Sequence, residues 1–158
     1  GMCVQRGFTY VELMISVAIM AVLLSVAVPT AQLLAQRQKE HQLREALTSM
    51  REAIDAYKRA TEQKRIALNQ GESGYPKSLA QLVEGVDDLQ SPTRQKIYFL
   101  RRIPTDPMAD ANMGAEAQSW GLRSYASSAE QPSPGEDVFD VYSTSTVLGL
   151  NGVAYKDW

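Results

Sequence analysis

The chain has 158 residues, with 16 Lys and Arg against 18 Asp and Glu, for a formal net charge of −2. That length holds one modest domain plus an anchor, and the slightly acidic balance argues against a nucleic-acid groove. One cysteine (Cys3) and one histidine (His41) leave Cys–His and Ser–His catalysis little to work with.

The first predicted element is a long helix. From Phe8 to Pro29 there are 22 residues, and Glu12 is the only formal charge among them. At 1.5 Å per residue this stretch is about 33 Å long, against about 30 Å for a bilayer core. It is long and apolar enough to span a membrane. A carboxylate inside such a span costs about 2.5–3.5 kcal/mol at the centre, so Glu12 calls for a counter-charge. One plain alternative has Glu12 stretched toward the headgroups. Another is an ordinary secretory signal, with Arg6 as its basic region. Against it, the apolar run exceeds the usual 7–15 residues, Glu12 interrupts its start, and a cut after Ala31 leaves Pro29 where a small residue belongs.

Beyond Pro29 the pattern stays helical and turns polar, with Gln32, Gln36, Arg37, Gln38, Lys39, Glu40, His41 and Gln42 in one stretch. An apolar stripe then follows at Leu43, Leu47, Met50, Ile54 and Tyr57. Its spacings of 4, 3, 4 and 3 place these side chains on one helix face. Charged residues, among them Arg44, Arg51, Asp55 and Lys58, fall opposite, and Arg51–Asp55 and Lys58–Glu62 have pairing distance. The stripe reads either as a coiled-coil seam or as one wall of a small core. It covers about two heptads where a seam needs three or four, which favours the core. The helix is expected from about Phe8 to about Leu68, bent at Pro29 and stopped by Gly71.

The remaining half must supply the other wall. Gly71 to Gly74 is a turn, and Leu79 to Glu84 is a short helix closed by Gly85. Ile97 to Leu100 is a short buried or strand-like run, and Ala109 to Ser119 reads as a loop. Leu122–Ser127 and Asp137–Ser143 are expected to pair as an antiparallel hairpin. The tail from Thr144 to Trp158 is turn-rich.

Gly7-Phe8-Thr9-Tyr10-Val11-Glu12-Leu13, the apolar run and Pro29 together resemble the class III signal peptides of type IV pilins and type II secretion pseudopilins. The resemblance implies that a dedicated prepilin peptidase cuts between Gly7 and Phe8 and N-methylates Phe8. Residues 1–7 are then a leader, 8–29 the membrane and fibre-core helix, and 30–70 its amphipathic continuation. Residues 71–158 form a globular region that packs with 43–68 as one domain. Losing Arg6 leaves 15 basic and 18 acidic residues, a net charge of −3. Losing Cys3 leaves no thiol, so no disulfide closes a C-terminal loop. Glu12 of one copy pairs with the new Phe8 amine of its neighbour and so sets register, with Pro29 as the helix bend.

Farther along, Gly74-Tyr75-Pro76, Leu100-Arg101-Arg102-Ile103-Pro104-Thr105-Asp106-Pro107, Trp120-Gly121 and Asp140-Val141-Tyr142-Ser143 resemble the major pseudopilin of type II secretion. That resemblance implies an α+β fold: a long bent N-terminal helix packed on a short helix and loop region and a small C-terminal antiparallel sheet. It implies a structural subunit, not an enzyme, that polymerises into a periplasmic fibre driving export of folded proteins. Its partners are copies of itself, minor pseudopilins, the prepilin peptidase and an inner-membrane assembly platform, with no nucleic acid. The chain crosses the bacterial inner membrane once through residues 8–29, with its C-terminal region in the periplasm. The alternative is a type IV pilin or minor pilin serving adhesion, motility or DNA uptake.

The family's C-terminal calcium loop is rich in Asp-Gly, whereas the tail here offers only Ser143, Asn151 and Asp157 beside carbonyls and hydroxyls. No cofactor is expected, calcium being the one candidate, and packing of Tyr155 and Trp158 is expected to staple the tail instead. A membrane-anchored enzyme is a reading from a different class. His41 sits in the polar stretch as a solvated side chain, and Asp87–Asp88 and Asp137–Asp140 read as turn and strand-edge residues. No glycine-rich phosphate loop occurs.

Overall fold

The computed structural model describes residue 1, residues 6–109 and residues 119–158. Cys3 and most of the loop expected between Ala109 and Ser119 lie outside the described residues. The elements run in the order α1 (Tyr10–Glu62), α2 (Leu79–Glu84), β1 (Val86–Asp87), β2 (Lys96–Ile97), β3 (Trp120–Arg123) and β4 (Asp140–Ser143). A 3-10 turn at Tyr155–Asp157 follows. This is the expected α+β arrangement. The chain divides into two compact units, Gly1–Gln38 and Lys39–Trp158.

In the first unit the apolar side chains of α1 stand in the open, with Val22, Leu23 and Leu24 each 64% exposed. α1 is the described helix long and apolar enough to cross a membrane, its most apolar window having a mean hydropathy of 2.5. Pro29 lies inside it. Proline has no N–H to donate to the carbonyl four residues earlier, so the ladder lacks one bond there.

In the second unit all five stripe residues, Leu43, Leu47, Met50, Ile54 and Tyr57, are buried. They form one wall of a core whose other side comes from Leu79, Leu82, Trp120, Val138, Val141 and Tyr155. Burial of this kind contributes about 1.5–3 kcal/mol per large side chain, which is why the stripe folds inward and does not zip to a second helix.

α1 ends at Glu62, six residues short of the expected Leu68. The cause is a Schellman closure. Arg65 N–H donates to the Ala60 carbonyl at 2.9 Å and Lys64 N–H to that of Thr61 at 3.0 Å. Lys64 takes the left-handed conformation that closure needs (φ 60°), without being glycine. Ile66 is then free to turn into the core.

α2 matches its expected bounds. Ser78 caps its first turn through the Gln81 N–H, and Gly85 closes it at φ 85°. β1 and β2 pair antiparallel, Val86 opposite Ile97. β3 and β4 pair antiparallel in the register Trp120↔Ser143 to Arg123↔Asp140. The hairpin exists, but β3 lies two residues earlier than expected and ends at Arg123, and β4 begins only at Asp140. Ser124 N–H leaves the ladder to bond the Ser133 carbonyl at 2.9 Å, so the chain turns where Leu122–Ser127 had read as strand. Gly121 is required where it stands, since a Cβ there would lie 2.2 Å from the Tyr142 ring.

Two charge expectations resolve differently. Lys58 and Glu62 do approach each other, at 3.9 Å. Arg51 does not turn to Asp55. Its Nε donates to Asp140 at 2.7 Å, and its Nη2 to the carbonyls of Val141 and Trp158 at 3.1 Å each. A charge-assisted bond to a half-buried partner outweighs an exposed helical pair worth a few tenths of a kcal/mol.

Candidate functional site

Among the described residues, the segment Gly7–Glu12 carries the motif whose chemistry is specific enough to assign. Phe8 is 91% exposed and precedes the helix. Thr9 is the capping residue. Glu12 N–H donates to Thr9 Oγ1 at 3.2 Å, and Thr9 N–H donates back to Glu12 Oε2 at 3.2 Å. This is a reciprocal capping box of the Thr-x-x-Glu type, which satisfies two of the four orphan donors at the helix start. It also explains why α1 begins at Tyr10 and not at Phe8. The Thr9-Tyr10-Val11-Glu12 spacing was legible in the sequence, and only its charge was read there.

The capping box gives Glu12 a partner inside its own chain. Its carboxylate sits over the positive end of the helix dipole, which lowers the cost of holding a charge beside an apolar run. Ser16, Ser25 and Thr30 return their hydroxyls to backbone carbonyls of Glu12, Val22 and Val26 at 2.7–2.9 Å. The polar atoms along the apolar half are thus satisfied locally, as a lipid-facing helix requires.

In the second unit the tail is held by a clasp that sequence reasoning missed. Glu40, placed by its neighbours in the polar stretch, is buried. Its Oε1 accepts from Leu150 N–H and from the Tyr155 hydroxyl, both at 2.8 Å. Tyr155 and Trp158 pack edge to face with centroids 5.1 Å apart, and the Arg44 guanidinium stands 4.7 Å over the Trp158 ring. The only signal for Glu40 was its spacing, three residues before Leu43 and so on the stripe's own face.

Two of the three candidate calcium ligands have side-chain oxygens already engaged in bonds. Ser143 Oγ donates to buried Asp106 at 2.7 Å and accepts from Ser145 N–H at 3.3 Å. Asn151 Oδ1 accepts from Val153 N–H at 3.0 Å, and Asp157 is exposed. Among the described residues no group of three or more His, Cys, Asp or Glu side chains is placed to hold a metal. A calcium ion needs six to eight oxygens, and Ser143 and Asn151 spend side-chain oxygens on bonds within the chain.

His41, Asp88 and Asp137, singled out in the sequence, have structural partners too. His41 is exposed and lies 2.9 Å from Glu45. Asp88 accepts from Arg65 at 2.9 Å, and Asp137 accepts from the Ser73 hydroxyl and from Tyr125 N–H. The bond from Arg65, more than its charge, holds the Asp88 carboxyl below its ordinary range. Bonds from Lys77 and then Asn69 do the same for Glu72.

Residues 2–28 match the family model described as the prokaryotic N-terminal methylation motif. No curated protein and no solved structure matches the chain. The motif is a class III signal of the kind that type IV pilin-like proteins carry, and with the exposed apolar helix it fits a membrane-anchored subunit of that kind. Such motifs imply processing by a prepilin peptidase and polymerisation like that of a pilus. The match ends one residue before Pro29 and speaks for the N-terminal segment alone.

Proposed function

We propose that the chain is a pseudopilin, a structural subunit that polymerises into a periplasmic fibre of a type II secretion system and drives export of folded proteins. The observation that carries this is the pairing of a methylation motif with a fully exposed apolar helix opened by a Thr9–Glu12 capping box. Cleavage between Gly7 and Phe8 leaves an α-ammonium one residue before Thr9. In a fibre core that ammonium meets Glu12 of a neighbouring copy, where low dielectric makes the attraction large and a one-turn slip leaves two charges unpaired. Pro29 lets the helix bend as the anchors pack. The chemistry is assembly, without turnover or a cofactor.

Support for the secretion branch comes from the motifs of the second half, above all Asp106 fixed between Ser143 and Met108 N–H, at 2.7 and 2.9 Å. Glu12→Ala is expected to insert and be processed normally while assembling at least tenfold less fibre, scored by shearing and sedimentation. Normal fibres from that variant contradict the reading. Intact mass of the membrane-extracted chain is expected to begin at methylated Phe8.

A further inference from the structure

One cleft of the second unit opens beside the hydrophobic core, sharing Tyr75 with its edge. Its volume is about 640 Å³, and Tyr75, Tyr125, Glu72, Lys77, Glu136 and Asp137 are among the residues lining it. Three carboxylates against one ammonium leave it a net charge of −2. Lys77 lies 3.1 Å from Glu72, so the uncompensated charge falls on Glu136 and Asp137. Tyr125 is 62% exposed, although it is stacked on Tyr75 at 5.7 Å and meets the Phe139 edge at 5.5 Å. The ring is therefore fixed from behind and presents an open face. An immobilised aromatic face beside carboxylates is what a guanidinium recognises, by stacking and by paired hydrogen bonds.

The same chain carries a surface of opposite sign. Residues 94–102 contain Arg94, Lys96, Arg101 and Arg102 and no acid. All four cations are exposed, and none forms an ion pair among the described residues. This segment shares no residue with the cleft.

We infer that the Tyr125–Glu136–Asp137 cleft of one copy receives an arginine from the 94–102 segment of a second copy. Because the two surfaces are different patches, the contact is head-to-tail. Contacts of that type leave one cleft and one basic segment free at the ends, so copies keep adding wherever the rotation between them does not close a ring. The inference rests on the polymerising-subunit reading and names the head contact that would accompany packing of the apolar helices.

The test uses the processed chain in a fibre-forming membrane system, where loss of residues 1–7 removes Cys3, the sequence's one native thiol. Glu136→Cys combined with Arg102→Cys is expected to give a ladder of disulfide-linked dimers, trimers and higher species on mild oxidation. Glu136→Arg, an exposed position that the core does not use, is expected to lower fibre yield at least tenfold, as is Arg101→Glu with Arg102→Glu. Combining both reversals is expected to restore yield to within about threefold of the unaltered chain. Reversals that assemble normally, a ladder that stops at the dimer, or crosslinks to some other protein overturn this contact while leaving the proposed function standing. An unaltered chain that is processed and never polymerises overturns both.

Discussion

At the scale of single residues, the carboxylates do the most varied work, and their roles follow from what surrounds each one. Glu40 reads as polar surface by its neighbours, yet it lies on the stripe's face and is buried as the acceptor of two bonds. Composition hides this, because the partners sit 110 and 115 residues away. Glu40→Ala removes the acceptor shared by the Leu150 N–H and the Tyr155 hydroxyl and is expected to cost about 2–6 kcal/mol, at about 1–3 kcal/mol for each lost bond. Glu40→Gln keeps an acceptor oxygen and is expected to cost less than half of that. Thermal unfolding followed by near-ultraviolet circular dichroism reads both. Asp88 and Glu72 make the opposite case, partly buried acids whose partners lower their titration. Each carboxyl titrates lower in the folded chain than in the unfolded one. Their stabilisation is therefore complete above the ordinary carboxylate range and fades as pH drops through the lowered folded values, below about pH 4. Asp88→Asn is expected to flatten this acid limb in urea unfolding measured from pH 2 to pH 7, with little change near neutrality in its slope.

At the scale of elements, periodicity was the strongest guide and boundaries the weakest. The 4-3-4-3 stripe announces a buried helix face, and Gly85 announces the end of α2, because both signals are local and steric. The end of α1 carries no such sign. Lys64 adopts a glycine-like conformation because its two backbone bonds and the burial of Ile66 outweigh the strain. A lysine there costs roughly 1 kcal/mol relative to a residue without a Cβ. Lys64→Gly is accordingly expected to raise stability by about 0.5–1 kcal/mol in chemical denaturation, whereas the same change at exposed Arg59 inside the helix is expected to lower it by about 1 kcal/mol. The hairpin was legible from the composition of Asp137–Ser143, and its register was not. Register is set by contacts such as Trp120 Nε1 with the Pro104 carbonyl at 2.7 Å, which no local pattern announces.

At the scale of the whole molecule, the sequence carries two messages of unequal clarity. The apolar helix of the first unit is legible, since an apolar run is recognised by length and composition alone. The second unit is legible as an α+β class, while the groups that tie it together come from distant parts of the chain. Arg51 joins α1 to β4 and to Trp158, and Asp106 joins the Pro104–Pro107 turn to Ser143. The tail is closed by these bonds and by the Glu40 clasp. Adding a calcium chelator to the purified chain is therefore expected to shift its melting temperature by less than about 1 °C. A fall of several degrees refutes that account of the tail.

The clasp also imposes an order of events during synthesis. At 5–20 residues per second, Tyr155 leaves the ribosome roughly 6–23 s after Glu40, the residue that will hold its hydroxyl. Throughout that interval Leu43, Met50 and Ile54 have a helix to sit on and an opposite wall that is still incomplete. A nascent chain arrested before Tyr155 should therefore be open to proteases along a stripe that the finished chain conceals, which makes the last few residues the gatekeepers of the first fold-defining ones.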